Sequence, residues 1–456
     1  MENHSGRLVL VPSPFQGHIT PMLQLASTLR LKGFSITVAH THFNFPDPSN
    51  HPHFEFVPIL DGLSDHAHIS SQNFIAIAST LNTNCVSSLR EFLIQITKEN
   101  VEHERIRCII YDGLMYFADA VAKQLGIPTI VFRTTSATNL LTYHAFARLR
   151  SNGYLPLQDS RSFDQLMPEL DPLRFKDLPI FNLPNSDAML QQIEKSLEVR
   201  SSGVIMNTVD CLEGSSSLGE LRKLYEVPFF FVGPLHKMAP DSRVSFFKED
   251  NRCMCWLNKQ ASKSVLYISL GSIACWNEKE LTEMAWGLVN SKQPFLWVIR
   301  AMPFNINGSG SDWVESLPED LKEAMGERGC IVKWAPQKEV LAHRAVGGFW
   351  SHCGWNSSLE SLCEGMPIIC QPYFGDQRVN ARLLSHVWRV GLEWSNVIER
   401  GEIERAVTRM MVDEQGREMR LRAVELKDKI RLSVEEGGSS FKALNDLQHF
   451  INTLSL

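Results

Sequence analysis

The residues best suited to chemistry are a histidine near the N-terminus and an aspartate much later in the chain. His18 follows the apolar run Leu8–Val11 and opens a helical pattern, and Asp112 follows the run Ile106–Tyr111. A carboxylate beside an imidazole holds the ring in one tautomer and stabilises its protonated form, so the pair can act as a general base. A histidine at a helix start also has structural uses, and residue type alone leaves both interpretations open.

A second polar constellation lies in the other half of the chain. His352, Gly354, Asn356 and Ser357 stand between the apolar run Gly348–Trp350 and a helical pattern. A helix N-terminus after a parallel strand presents unpaired N–H groups and the positive end of the helix dipole, which together bind anions. The segment therefore predicts an anion site that His352 and the helix end neutralise without a metal. Asn356 and Ser357 are residue types that commonly cap a helix N-terminus, so a well-capped helix with no ligand is the alternative.

Further aromatic and polar groups follow neighbouring predicted strands. Trp334 and Gln337 come after one strand, and Asp376 and Gln377 after another. Carboxyl ends of parallel strands meet at one edge of a sheet, so these groups should line one rim with the anion site. A stacking plane, an anion site and a carboxylate for vicinal hydroxyls would suit a base, a diphosphate, a ribose and a sugar.

Two series of alternating strand-like and helix-like segments must position these groups. This alternation predicts an α/β protein with two doubly wound Rossmann-like domains facing each other across a cleft. The first domain is placed at 1–237, a linker at 238–250, the second domain at 251–436 and a helical tail at 437–456. Residues 41–100 and 150–200 are interpreted as long excursions from the sheet. The predicted strands are Leu8–Val11, Ser35–Ala39, Ile106–Tyr111, Thr129–Phe132, Val204–Met206, Phe229–Val232, Val265–Ser269, Phe295–Ile299, Cys330–Val332, Gly348–Trp350 and Ile368–Cys370.

Composition excludes several classes of protein. The chain has 456 residues, with 45 basic and 51 acidic side chains, and no basic stripe that would bind nucleic acid. It lacks the run of about 20 apolar residues that a membrane helix needs, and its N-terminus has no apolar signal core. The ten cysteines are scattered without a CxxC pair, as expected for reduced thiols. We therefore expect a cytoplasmic protein without a membrane span.

Missing motifs narrow the chemistry further. No GxGxxG follows the first strand and no GxxxxGK[ST] occurs, so an NAD-dependent oxidoreductase and a P-loop enzyme lose their main support. No Asp-x-Asp pair is present to hold a cation on a diphosphate. We therefore predict no metal site.

The run WAPQKEVLAHRAVGGFWSHCGWNSSLESLCEGMPIICQPYFGDQ, at 334–377, resembles the signature box of plant UDP-dependent glycosyltransferases. The similarity extends over nearly the whole chain, through PFQGHITPMLQLA, YDGLMYFADAVA and SVLYISLGS, and is greatest to the family 76 glucosyltransferases. This resemblance implies the inverting, metal-independent GT-B type. It also implies an acceptor-binding first domain, a UDP-sugar-binding second domain, and a C-terminal helix that returns to the first domain.

The resemblance assigns roles within the donor site. It implies that Trp334 stacks on uracil, that Gln337 and Glu360 hold the ribose, and that Asp376 and Gln377 bind the sugar. Thr135 matches a family position that approaches the sugar, although a threonine at a strand end also satisfies its own backbone. The implied diphosphate contacts are His352, Asn356, Ser357 and Ser272, and the site also includes Ala335, Gly354 and Trp355.

On the acceptor side, the resemblance places the catalytic base at His18 and its partner at Asp112. It implies glucose transfer from UDP-glucose, a co-substrate rather than a cofactor, to a hydroxyl of a small apolar metabolite, giving a β-glucoside. Sugar-on-sugar transfer, N-glucosylation of a hormone and a non-catalytic sugar-nucleotide binder remain alternatives. A monomer is expected. The predicted acceptor-lining residues are Phe15, Phe117, Thr138, Tyr143, His144 and Phe374.

Overall fold

The computed structural model describes residues 6–63, 73–98, 105–155, 163–168, 170–181, 186–198, 200–239, 249–271, 277–299, 318–394 and 397–454. The chain forms two compact units. Unit 1 comprises residues 1–165, 180–246 and 429–456, and unit 2 comprises residues 166–179 and 247–428. Each unit has its own parallel sheet, because each contains a series of apolar strands linked by helices.

The strands of unit 1 are β1 (Arg7–Val11), β2 (Ser35–Thr41), β3 (Glu55–Ile59), β4 (Ile106–Asp112), β5 (Thr129–Arg133), β6 (Gly203–Met206) and β7 (Phe229–Phe231). They pair in parallel in the order β3-β2-β1-β4-β5-β6-β7. The central strands are buried on both faces, which explains their continuous apolar sequences. The order reverses between β1 and β4, so these neighbours bring together chain segments that are far apart in sequence.

Helices cover both faces of this sheet. They are α1 (Gln16–Leu31), α2 (Phe74–Lys98), α3 (Phe117–Gln124), α4 (Ala137–Ser151), α5 (Ser186–Glu198), α6 (Ser215–Leu224) and α7 (Leu235–Met238). On one face, Met22 and Leu25 of α1 pack against Leu8 and Leu10 of β1 in one apolar cluster. The other face is covered by α2, α3 and α4 and forms a second cluster. The doubly wound arrangement follows from these two buried faces.

Unit 2 repeats the same plan. Its strands are β8 (Val265–Ser269), β9 (Phe295–Val298), β10 (Gly329–Val332), β11 (Val346–Ser351), β12 (Ile368–Cys370) and β13 (Gly391–Glu393), in the parallel order β10-β9-β8-β11-β12-β13. The order reverses between β8 and β11. The helices are α8 (Arg252–Leu257), α9 (Glu278–Asn290), α10 (Glu319–Met325), α11 (Gln337–Ala342), α12 (Trp355–Glu364), α13 (Gln377–Arg382) and α14 (Arg400–Met411).

The end of the chain passes from one unit to the other. Helix α15 (Glu414–Val434) starts in unit 2 and ends in unit 1, and α16 (Ser439–Thr453) belongs wholly to unit 1. The ring of Phe450 lies 5.3 Å from that of Phe230, and Ser440 Oγ donates a 2.6 Å hydrogen bond to the carbonyl of Gly233. The tail helix therefore packs on β7 at one edge of the first sheet.

The predicted α/β class with two Rossmann-like sheets is confirmed, and every predicted strand overlaps an observed one. The interpretation of residues 41–100 as an excursion is wrong, since it contains edge strand β3 and the long helix α2. Edge strand β13 was also not predicted. These edge strands are less apolar and less buried than the central ones, so they lack the continuous apolar signal that marks a buried strand.

The division into units differs from the predicted domains at two places. Residues 166–179 belong to unit 2, because Arg174 Nη2 donates to Glu393 Oε1 at 2.8 Å and Arg382 Nε donates to the carbonyl of Pro172 at 2.8 Å. The change back to unit 1 near the chain end comes at Lys429 rather than 437. Most of the predicted linker, 240–248, lies outside the described residues. No helix in the described ranges has the length and apolar character needed to cross a membrane.

Candidate active site

The reversal of strand order in unit 1 brings His18 and Asp112 together. His18 is the third residue of α1, which follows β1, and Asp112 is the last residue of the neighbouring strand β4. Ligands of open α/β sheets bind at the carboxyl ends of strands where the order reverses. Both members of the predicted pair therefore lie at the position where such a fold builds a site.

His18 Nδ1 lies 2.9 Å from Asp112 Oδ2. The Asp112 side chain is almost fully buried, whereas a quarter of the His18 side chain is exposed. Asp112 Oδ1 accepts a 2.9 Å hydrogen bond from the N–H of Leu114, so the carboxylate is fixed at both oxygens. Since an ionised carboxylate can only accept, it favours the tautomer with the proton on Nδ1 and makes Nε2 the basic nitrogen.

Thr134 is a further neighbour of the histidine that sequence reasoning missed. Its Oγ1 lies 3.1 Å from His18 Nδ1. Thr135, the residue that the resemblance favoured, instead accepts a 2.8 Å hydrogen bond from Asn139 Nδ2 and is largely buried. The available signal was that Thr134 directly follows β5, whose carboxyl end lies beside that of β4.

The predicted acceptor-lining residues of unit 1 fall into two groups. Phe15 and Phe117 are buried members of the apolar cluster under α2 and α3, although the Phe15 and His18 rings also lie 6.0 Å apart in a T-shaped contact. Thr138, Tyr143 and His144 are only half-buried on α4. The first pair thus contributes to the core, and the second group keeps partly accessible surface on one helix.

His144 makes a defined contact of its own. Its Nε2 is joined to the hydroxyl of Tyr225 by a 2.8 Å hydrogen bond. Burial, together with the nearby Arg133 and Arg148 guanidinium groups, lowers the pKa of His144 to about 4. The ring is therefore neutral at pH 7 and part of the packing between α4 and Tyr225.

In unit 2 the reversal of strand order lies between β8 and β11. Gly271 comes shortly after β8, and His352 directly follows β11. A Cβ atom added to Gly271 would lie 2.7 Å from His352 Nε2, and one added to Gly354 would lie 2.5 Å from the same atom. Gly271 also has a φ of +76°, which side chains rarely adopt. Only glycine at both positions leaves the imidazole its place between them.

The environment of His352 keeps the ring neutral. Burial lowers the pKa of His352 to about 4, although the Ser269 backbone acts in the opposite direction. Its Nδ1 is buried and has no hydrogen-bond partner within the described ranges. The expectation that His352 supplies positive charge is therefore not supported, and a neutral imidazole can contribute by hydrogen bonding instead.

The lowered pKa values of His144 and His352 predict a loss of stability in acid. In the unfolded chain both rings have a pKa near 6.5, whereas in the folded chain the pKa of each is about 4. Between these two values the unfolded state binds protons that the folded state does not bind, so acid favours unfolding. Each histidine should then reduce the free energy of unfolding by about 2 kcal/mol at about pH 5. Thermal unfolding of the wild type and of His144→Gln at pH 8 and pH 5 measures this. A wild-type melting temperature that does not fall in acid, or falls equally in the variant, would contradict the assignment for His144.

Helix α12 begins beside this histidine, but not at the residues expected to cap it. The N-cap is Gly354, with no capping side chain in this described segment, and Asn356 and Ser357 lie within the first turn. The preceding residue, Cys353, has a φ of +63°. The helix thus presents its N-terminal dipole end at the end of β11, next to His352, as an anion site requires.

A hydrogen-bonded cluster links α11 to α12. Gln337 Nε2 donates to Glu360 Oε2 at 2.7 Å and to Ser357 Oγ at 3.0 Å, and the buried Tyr267 hydroxyl donates to Gln337 Oε1 at 3.3 Å. The structure therefore brings the two predicted ribose ligands, Gln337 and Glu360, into direct contact. Their relative orientation is set by neighbours that belong to the same unit.

The start of α13 carries the two predicted sugar ligands. Gln377 Oε1 accepts hydrogen bonds from the N–H groups of Tyr373 and Phe374, at 2.9 and 3.3 Å. Its Nε2 is the group that can contact a ligand. Asp376 Oδ2 accepts a 3.1 Å hydrogen bond from Asn380 Nδ2, a residue that the sequence analysis did not identify.

The remaining predicted donor residues differ in accessibility. Trp334 and Phe374 are half-buried after their strands, whereas Ala335 is buried. Trp355, the first residue of α12, is also buried, and its ring lies 6.4 Å from that of Trp388. Ser272 lies outside the described residues. Within the described ranges, no group of three histidine, cysteine, aspartate or glutamate side chains could hold a metal ion.

Known proteins resemble this chain over nearly its whole length. The sequence model of the family "UDP-glucoronosyl and UDP-glucosyl transferase" matches residues 62–429. The chain is 46% identical over 454 residues to flavonol 3-O-glucosyltransferase UGT76E12 of Arabidopsis thaliana, covering 98% of this chain and 97% of that protein. It is 48% identical over 455 residues to UDP-glycosyltransferase 76E1 of Solanum lycopersicum, covering 98% and 92%.

A similar solved structure is that of Phytolacca americana UGT2 complexed with UDP-2fluoro-glucose and pterostilbene. It is 27% identical to this chain with a TM-score of 0.80, and the match covers 99% of this chain and 100% of that one. The likeness therefore extends over both units rather than over a single Rossmann-like domain.

Proposed function

Because this chain belongs to the family of UDP-glucoronosyl and UDP-glucosyl transferases, we propose that it transfers glucose from UDP-glucose, with inversion, to a hydroxyl of a small apolar metabolite. Membership makes the chain a UDP-glycosyltransferase of the plant family 76 type. The observation that carries the proposal is the 2.9 Å contact between His18 Nδ1 and the buried Asp112 carboxylate.

The acceptor is activated by His18. Nε2 takes the proton of the acceptor hydroxyl as its oxygen attacks the anomeric carbon, and the imidazolium that forms is stabilised by the Asp112 carboxylate. The carbon–oxygen bond to the diphosphate breaks as the new bond forms on the opposite face. A single displacement of this kind converts an α-linked donor into a β-glucoside.

The leaving UDP is held by unit 2. The ten-residue helix α12 directs its dipole toward the developing charge of the diphosphate, and the neutral His352 ring offers a hydrogen bond beside it. Gln337 and Glu360 hold the ribose, and Trp334 stacks on the base. Charge is thus stabilised by preorganised dipoles and hydrogen bonds of the chain itself.

Glucose as the transferred sugar is supported by two lines. The signature box ends in Gln377, for which the resemblance implies a glucose donor, and a similar relative is named a flavonol 3-O-glucosyltransferase. Apolar acceptors are supported by the aromatic side chain of Tyr143, which stays half-buried on α4. We further propose a cytoplasmic monomer, as the sequence predicts.

The test is a transfer assay with purified protein and three donors: UDP-glucose, UDP-galactose and UDP-glucuronate. We expect UDP-glucose to be preferred, with acceptors drawn from flavonols, terpenoid alcohols, phenolic acids and adenine-type hormones. The anomeric proton coupling of the product, measured by NMR, reports inversion. Offering each acceptor also as its monoglucoside separates sugar-on-sugar transfer from aglycone transfer. An α-linked product, or binding of UDP-glucose without transfer to any acceptor, would contradict the proposal.

A further inference from the structure

Asn380 is a buried amide on α13 that joins two parts of the donor side of unit 2. It is fully buried, and its Nδ2 donates to Asp376 Oδ2 at 3.1 Å and to the carbonyl of Cys353 at 3.0 Å. A primary amide has two N–H donors, so both are used. Each acceptor belongs to a different segment of the candidate donor site.

The first acceptor belongs to the loop that carries His352. Cys353 has a φ of +63°, a conformation that a residue with a side chain holds only when its surroundings enforce it. Its N–H donates to Ser351 Oγ at 3.1 Å, and its carbonyl accepts from Asn380. The peptide groups on both sides of this residue are therefore fixed by side chains.

The second acceptor is the carboxylate expected to meet the sugar. Asp376 immediately precedes α13, and Asn380 lies one helical turn further along, so the two side chains face each other. Hydrogen bonding at Oδ2 restricts the rotation of the carboxylate. Hydrogen bonds to a charged group are the stronger kind, so this contact sets the direction of the other oxygen as well.

From this geometry we propose that Asn380 is a positioning residue for sugar recognition. It fixes the position of the Asp376 carboxylate relative to the loop that carries His352 and Cys353. The inference rests on the proposed use of UDP-glucose. Asn380 touches neither donor nor acceptor in this assignment, and its effect passes through Asp376. We therefore expect Asn380 to influence how much the glucose moiety contributes to the affinity for UDP-glucose, relative to the affinity for UDP alone.

The test compares the dissociation constants of UDP-glucose and UDP by calorimetry. In Asn380→Leu, which keeps the volume but removes both donors, we expect the ratio of the UDP-glucose constant to the UDP constant to rise about tenfold. Asn380→Asp places a carboxylate against Asp376 and should raise the ratio at least as far. This second variant tests the inference if Asn380→Leu folds poorly. Ser361→Ala is the matched control and should leave the ratio unchanged. It removes a buried 3.1 Å hydrogen bond from Ser361 of α12 to the Met366 carbonyl but alters none of the residues proposed to bind UDP-glucose.

A double-mutant cycle with Asp376→Ala locates the effect. If Asn380 acts through Asp376, Asn380→Leu should leave the ratio unchanged in the Asp376→Ala background. A ratio that is unchanged in the single variants, or that rises equally in both backgrounds, overturns the inference. A wild-type protein that does not bind UDP-glucose overturns instead the proposed function, so the two failures are distinct.

Discussion

Replacing His18 by alanine is expected to lower kcat by about 10²–10⁴-fold, because general-base catalysis typically contributes that much. The affinity for UDP should change little, since the residues proposed to bind it belong to unit 2 and His18 to unit 1. Steady-state rates with UDP-glucose and any accepted metabolite, together with calorimetric titration of UDP, measure both quantities.

Two further variants sharpen this experiment. Asp112→Asn keeps the shape of the 2.9 Å contact but removes the charge that stabilises the imidazolium, so it should also reduce kcat strongly. His53→Ala, at an exposed position of the same unit, is the control and should retain wild-type turnover. Wild-type kcat in His18→Ala would exclude the imidazole as the base, and lost UDP binding in the same variant would point to a folding defect.

The second large effect is expected at Gly271. In Gly271→Ala the new Cβ would approach the His352 ring to 2.7–3.0 Å, which real Cβ atoms do not tolerate, and the backbone would be strained at a φ of +76°. The imidazole must then move from its place between Gly271 and Gly354. We expect kcat/KM for UDP-glucose to fall on the order of 10–100-fold, mostly through weaker binding of the diphosphate.

Gly326→Ala provides the matched control for this substitution. Gly326 also has a positive φ, +50°, and lies in unit 2, but a Cβ there would meet open space. Both variants therefore carry backbone strain, and only one displaces His352. If the two lower kcat/KM equally, strain alone explains the loss and the role given to His352 must be abandoned. Equal melting temperatures with unequal kcat/KM would support it.

The central strands of both sheets could be predicted from sequence because burial on two faces leaves a continuous apolar run. The strand Leu8–Val11 and its counterpart Val265–Ser269 are of this kind, and both were placed correctly. The edge strand Glu55–Ile59 carries a glutamate and a proline and is half-buried, so its pattern does not differ from that of a loop. Helix α2 was not predicted because its many Ser, Asn and Thr residues weaken its apolar periodicity.

The candidate site was predictable where chemistry and fold rules coincide. His18 and Asp112 follow strands that a doubly wound sheet places side by side, so their contact could be anticipated. Thr134 and Asn380 could not, since their roles depend on side-chain contacts to His18 and Asp376 rather than on residue type. The capping of α12 was wrongly placed because Asn356 and Ser357 are common capping residues, whereas the chain uses the bare Gly354 that leaves room for His352.

The path of the last two helices determines how this protein can be recombined with its relatives. The final segment of unit 1, residues 429–456, is translated only after all of unit 2. A chimaera that exchanges the whole of unit 1 must therefore take both its N-terminal part and residues 429–456 from the same relative, with a junction inside α15, rather than join two halves at a single crossover. A one-point hybrid would leave β7 facing a foreign helix where Phe450 normally meets Phe230, and its solubility would suffer first.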